Sequence, residues 1–211
     1  MDLVTDLIGG MGVILRISLS AWVVAVVLGF FISLGMRSRV RFVRELFAAL
    51  TAIQRGTPEL LLIYLVYYGL SGVAIRVGAI ESVVIAIGFV YAGYAAEIYH
   101  SGFLTVPRGQ LDAARAIGLS RTRTVGLVIL PQAARFAIAP LASLLLGLMK
   151  VATYGSAVGV AEVVYIATTN LQRTGDITAT MLAIAVIYIV VTIPIAWGLR
   201  RLEQRLRVGA S

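Results

Sequence analysis

The sequence predicts an all-α integral membrane protein with five transmembrane helices. Three observations carry this: an apolar composition, charge-free runs long enough to cross a bilayer, and arginines gathered on one side of it. Of 211 residues, 60% are hydrophobic and 13% charged, where about 25% charged is usual for a soluble domain. Mean hydropathy is +0.96. A soluble fold of this length could not hide so much apolar surface. There is no cysteine and one histidine, His100, so neither a disulfide framework nor a Cys- or His-rich metal site is expected.

Ile17–Met36 and Ile177–Leu199 are charge-free over 20 and 23 residues, enough at ~1.5 Å per residue to cross a ~30 Å hydrocarbon core. Leu60–Ile75 has 16 such residues and can be extended at either end. Two further spans are less clean: Ser82–Ala96, followed by Glu97 and Ile98–Leu104, and Phe136–Met149, followed by Lys150. The reading is one domain, 1–211, with spans at 12–36, 57–76, 80–104, 134–151 and 177–199. Asp2 and Asp6 precede a full-length span, unlike a cleaved signal peptide, so the N-terminus is expected to be retained.

The net charge is +8. With five spans, Arg37, Arg39, Arg41, Arg44, Arg55, Arg108, Arg115, Arg121, Arg123, Arg135, Arg200, Arg201, Arg205 and Arg207 share one side. They are 14 of the 18 basic residues. That bias is the positive-inside pattern and sets the N-terminus outside and the tail in the cytoplasm. The basic balance is thus topology, and no nucleic-acid partner is expected.

After the first span, Val40, Val43, Leu46 or Phe47, Leu50 and Ile53 recur at helical spacing, with Arg39, Arg41, Arg44 and Glu45 elsewhere on the helix. This predicts an amphipathic helix at the cytoplasmic interface or entering the membrane at a slant. A break is required near Gly56–Pro58. From Lys150 to Asp176 the chain is interrupted by Gly155 and Gly159 and is too polar to face lipid. Irregular backbone at that depth belongs beside a substrate path or a subunit interface.

The stretch "LDAARAIGLSRTRTVGLVILPQ", Leu111–Gln132, is a polar insert between apolar spans, within a cytoplasmic loop of about 107–131. Its alanines favour helix over about 109–120, Asp112 suits a first turn, and Gly118 suits a helix end. Ala113, Ala114 and Gly118, if exposed, would let a partner's backbone come close. Taken alone, the segment reads as an ordinary connecting helix or as such a docking surface.

Its spacing is similar to the EAA loop of binding-protein-dependent ABC importer permeases: E-A-A, three residues, G, nine residues, I, one residue, L-P. Here these are Asp112-Ala113-Ala114, Gly118, Val128 and Leu130-Pro131, with Asp for Glu and Val for Ile. "QRGTPELLLIYLVYYGL" and "AAEIYHSGFLTVPRGQLDAARAIGLSR" resemble the polar amino-acid (histidine, glutamine, arginine, opine) permeases, although His100 and Ser101 replace the usual arginine and glycine. The segment "MKVATYGS" also departs from that subfamily. The resemblance covers roughly residues 10–205.

It implies the type I ABC importer (MetI-like) permease fold in a bacterial inner membrane, with the insert as the coupling helix that docks on a cytoplasmic ATPase. Asp112, Ala113, Ala114, Arg115, Gly118, Leu119 and Pro131 would then form the ATPase-coupling site. Implied partners are two ABC ATPase subunits, a second permease subunit (identical or paralogous), a solute-binding protein and membrane lipid. The chain has no G-x-x-x-x-G-K-[ST], so no bound cofactor is expected here, and ATP-Mg belongs to the partner ATPase. No catalytic role or metal site is expected. Ser156 lies outside a G-x-S-x-G frame.

Candidate substrate-pathway residues are Glu59, Tyr64, Tyr68, Glu97, Lys150 and Tyr154. Glu97 serves either a gate or an ion pair with Arg108 or Arg115. Glu59 either complements a helix dipole or attracts a cationic side chain. Lys150 either meets a substrate carboxylate or snorkels to the interface. Tyr64, Tyr67, Tyr68, Tyr91 and Tyr94 either line a cavity or form an interfacial belt. The competing class, an ion-coupled transporter or channel subunit, would need inverted repeats or several intramembrane charges, and the sequence has neither.

Overall fold

The computed structural model describes residues 3–208; Asp2 lies outside the described residues. Among the described residues the regular structure is entirely helical. Helix α1, Leu3–Met36, starts well before residue 12. Gly9, Gly10 and Gly12 fail to break it because Leu7, Met11 and Ile14, one turn apart, are buried; packing overrides glycine's low helix propensity. Helix α2, Arg41–Gly56, buries Thr51 and Gln54. It ends at an extended Thr57 (ψ 126°), the conformation that a following proline imposes.

Helix α3 runs over Glu59–Gly72 with a π turn at Leu65–Gly69. At ~1.5 Å per residue it covers about 21 Å, short of a ~30 Å core. Ala74, at φ 64°, turns the chain out of it, and the Ile75 N–H donates to the Leu70 carbonyl at 2.9 Å. Helix α4 is Ala79–Leu104, and α5 is Arg108–Ala116. Helix α6 is a continuous run over 121–158: Arg121–Thr124, a π turn at Val125–Ile129, Leu130–Val151, then a 3-10 end at Ala152–Val158. It passes through Pro131, so the second half of the expected 107–131 loop is helical and the span begins before residue 134. Just before Pro131, which has no N–H to donate, the Leu130 N–H closes the π turn onto the Val125 carbonyl.

Helix α7, Val163–Thr174, and the end of α6 together occupy most of the zone expected to be irregular. Helix α8 is Ile177–Val208. Among the described residues, four helices are long and apolar enough to cross a membrane: Leu3–Met36, Ala79–Leu104, Thr122–Val158 and Ile177–Arg205.

The central contact is α1 against α4, built from small residues. A Cβ on Gly29 would lie 2.6 Å from Ala95 Cβ and 2.8 Å from the Ala92 carbonyl oxygen. Ala21, Ala25 and Gly29, each one turn apart, let the two backbones approach, the usual solution where lipid offers no hydrophobic drive. The Trp22 indole N–H donates to the Leu141 carbonyl at 2.7 Å and ties α1 to α6. Helix α8 keeps Leu182, Val186, Ile189, Val190 and Ile193 exposed, so its outer face is left for lipid or another subunit.

Candidate functional site

Two regions concentrate the polar chemistry: the short helix α5, and a cluster where the α2–α3 break meets α4. Pro107, extended at ψ 138°, starts α5 at Arg108. Asp112 therefore sits in the second turn, not the first, and ion-pairs with Arg115 at 3.2 Å. Helix α5 ends at Ala116, short of residue 120. Gly118 is at φ 74°; its N–H donates to the Arg115 carbonyl at 3.0 Å, and the Leu119 N–H to that of Ala114 at 3.0 Å. This pair of bonds is the Schellman cap, and the positive φ is what calls for glycine.

Ala114 is only 4% exposed, contrary to the exposed face expected of it. Leu111, three residues earlier, packs on a cluster of Phe103, Val106, Ile129 and Ala133. The outward surface carries Ala113, Ala116, Ile117 and Gly118 beside the exposed Asp112–Arg115 pair, with Ile117 76% exposed. Leu119 is half-buried, and Pro131 is exposed on α6. The Gln132 amide donates to Gln110 Oε1, linking α6 back to α5.

In the second region Glu97 pairs with neither Arg108 nor Arg115. Its Oε1 lies 3.2 Å from Arg55 Nη1, across from α4 to the end of α2. The Arg55 guanidinium also stands 5.5 Å from the Tyr94 ring, and Tyr94 is 5.4 Å from Tyr91. Glu59 is half-buried at the start of α3, and Tyr154 is 41% exposed in the 3-10 end of α6. Gln54, fully buried, donates from Nε2 to the Phe89 carbonyl at 2.8 Å, while its Oε1 has no partner. Gly93 permits this approach: a Cβ there would meet Gln54 Cβ at 2.9 Å. Tyr64 and Tyr68 stack along α3 at 5.8 Å, both exposed. Lys150 is exposed and has no ion-pair partner among the described residues.

Thus Glu97 meets Arg55 beside Tyr94 and Tyr91, while Tyr64 and Tyr68 contact one another along α3. Arg55 was legible only as a topology charge, and Gln54 was overlooked. The signal for Gln54 was its place on the buried stripe of α2, in register with Phe47, Leu50 and Thr51. Glu162 was also missed. It is fully buried and accepts from the Val164 and Tyr165 N–H groups at 2.9 and 3.0 Å, capping α7. Burial pushes its carboxyl up to about 7, against the lowering effect of those two bonds.

Residues 25–208 match the family described as the binding-protein-dependent transport system inner membrane component. The chain belongs to that family. This permease is 34% identical over 155 residues to the probable amino-acid ABC transporter permease protein YckA of Bacillus subtilis, covering 74% of this chain and 69% of the relative. It is 31% identical to the arginine ABC transporter permease protein ArtQ of Haemophilus influenzae, over 87% of each. It is 29% identical to the histidine/lysine/arginine/ornithine transport system permease protein HisQ of Escherichia coli, over 94% of this chain and 92% of that one. A crystal structure of an amino acid ABC transporter with histidines superposes at TM-score 0.89, 26% identity, over 97% and 99% of the two chains. An inward-facing MetNI methionine ABC transporter shares the fold at TM-score 0.75 and 18% identity. The permease is a multi-pass inner membrane subunit of an ATP-driven, binding-protein-dependent importer with the type I fold.

Proposed function

We propose that this permease carries polar amino acids, forming half of the translocation pathway beside a second permease subunit, and that α5 receives the motion of a separate ATPase. The N-terminus and α7 then lie outside, and α5 and the C-terminal tail in the cytoplasm. ATP-Mg is held by the ATPase pair, and a solute-binding protein delivers the amino acid from outside. The amino-acid class is supported by the relatives' own substrates, and a cationic side chain by the carboxylate of Glu59 at the start of α3.

The observation that carries the coupling role is the construction of α5. Its outward surface combines small and apolar residues with the exposed Asp112–Arg115 pair, and its inward face is fixed to the ends of α4 and α6. A load on Ala113, Ile117 and Gly118 passes through Leu111 to the Phe103 cluster at the end of α4. The same helix holds Glu97 about two turns away, roughly 9 Å along the axis. Closure of the ATPase pair thus moves the wall that holds the Arg55–Glu97 pair, and the cavity alternates between outward and inward access.

Co-purification from native membrane tests this. An ATPase subunit is expected with the wild type and should be lost with Gly118→Asp. A folded, ATPase-free wild-type protein whose transport follows an ion gradient would overturn the reading.

A further inference from the structure

Helix α2 presents three distinct stripes. Val43, Phe47, Leu50, Thr51 and Gln54 face the protein. Phe42, Leu46, Ala49 and Ile53, spaced four, three and four residues, form a second stripe turned away from it, with Phe42, Leu46 and Ile53 exposed by 76, 55 and 63%. The third is charged mainly at its start, since Arg55 at the far end is paired with Glu97. Arg37, Arg39, Arg41 and Arg44 are all exposed within eight residues, with Glu45 alone to offset them. From Leu46 to Gln54 there is no charge, a shaft of about 13 Å.

A basic end followed by a bare apolar shaft follows the profile of one membrane leaflet: headgroups first, then acyl chains. A docking protein would not require that gradient. The positive end further selects headgroup charge, because each basic residue near an anionic surface adds about 1 kcal/mol, a factor of about five. We propose that α2 and the turn before it bind anionic phospholipid of the cytoplasmic leaflet. Phosphate groups would sit on Arg39, Arg41 and Arg44, with acyl chains along Phe42, Leu46 and Ile53. This rests on the orientation proposed above, but its test needs neither ATPase nor transport.

The probe is phosphatidylglycerol against phosphatidylcholine, titrated onto the purified full-length permease and counted by native mass spectrometry. The wild type should retain phosphatidylglycerol at least about tenfold better. Arg39→Gln, Arg41→Gln and Arg44→Gln together should bring it to the phosphatidylcholine level. Arg200→Gln, Arg201→Gln and Arg205→Gln, on the same membrane side, should leave most of it. Equal retention of both lipids, or equal loss in the two triple variants, would overturn the proposal. So would a change of oligomeric state without lipid loss, because the face would then belong to a protein partner. Should the first triple variant not fold, Phe42→Trp keeps every arginine. Its fluorescence should be quenched more by brominated phosphatidylglycerol than by brominated phosphatidylcholine, and equal quenching would count against the site.

Discussion

The permease has two short helices outside its long spans, one at each end, and they are secured in opposite ways. Helix α7 is held by its own chain. A buried carboxylate caps its first turn, and its start presses on α1 where Gly10 has no side chain. A Cβ there would fall 2.7 Å from Ile166 Cδ1 and 2.9 Å from both the Glu162 carbonyl carbon and the Val163 nitrogen. Helix α5 is held on one side, by the buried Ala114, by Leu111 against the Phe103 cluster and by Gln110 to Gln132, and leaves its other side open. No atom would meet a Cβ on Gly109 or Gly118 within 4 Å. In the reading proposed above, α7 serves stability, whereas α5, open on one side but sharply capped, keeps its shape for something outside the chain.

The largest expected effect breaks the α7 side. Gly10→Leu should destabilise the fold by about 3 kcal/mol, since backbone as well as a side chain blocks the added atoms. It should show as lost monodisperse protein on size exclusion. Gly109→Leu on α5 should leave the elution profile unchanged, and equal losses would erase the contrast.

Next is the α5 cap. Gly118→Val places a β-branched residue at φ 74°, a local cost of about 1–2 kcal/mol. The melting temperature should fall by about 2–8 °C, while transport by the reconstituted importer falls about tenfold or more. A large melting shift would mean that α5 stabilises the chain rather than serving a partner.

Glu162 supplies a pH dependence at the start of α7. Its folded carboxyl titrates at about 7 against an ordinary 4.5, so between those values the native state holds a proton that the unfolded chain releases. Stability from this group is greatest below pH 4.5 and falls as pH rises to 7, by about 3 kcal/mol at most. Glu162→Gln should flatten that slope in thermal melts from pH 4.5 to 7.5 while keeping an acceptor for one capping N–H. Glu162→Ala should flatten it too but lose about 1 kcal/mol of cap. An unchanged slope in Glu162→Gln would remove Glu162 as its source.

How much of this the sequence disclosed follows from how local each signal is. The end of α5 was legible because Gly118 carries its own conformational reason. The phase of α5 was not, because which alanine turns inward depends on where Phe103 and Ile129 meet. Helix α7 was hidden because its cap is a glutamate rather than the usual Ser, Thr, Asp or Asn, and because nearby glycines read as breaks. The partner of Glu97 lay 42 residues upstream, beyond any helical spacing. Nearby arginines were the natural but mistaken candidates.

The smallest expected effect is at Asp112 and Arg115. Their pair is exposed on both sides, so Asp112→Asn should change stability by less than about 0.5 kcal/mol in a chemical melt. A larger change would make the pair part of the fold.

The most direct test of α5 as a surface kept for a partner uses the absence of cysteine from the chain. Ile117→Cys supplies the permease's sole thiol, and a short bifunctional reagent on native membranes can then capture whatever lies against it. An adduct with the ATPase subunit from Ile117→Cys, and none from a thiol at Val164 on α7, is the predicted result. No ATPase adduct from Ile117→Cys in folded, membrane-inserted protein would contradict it.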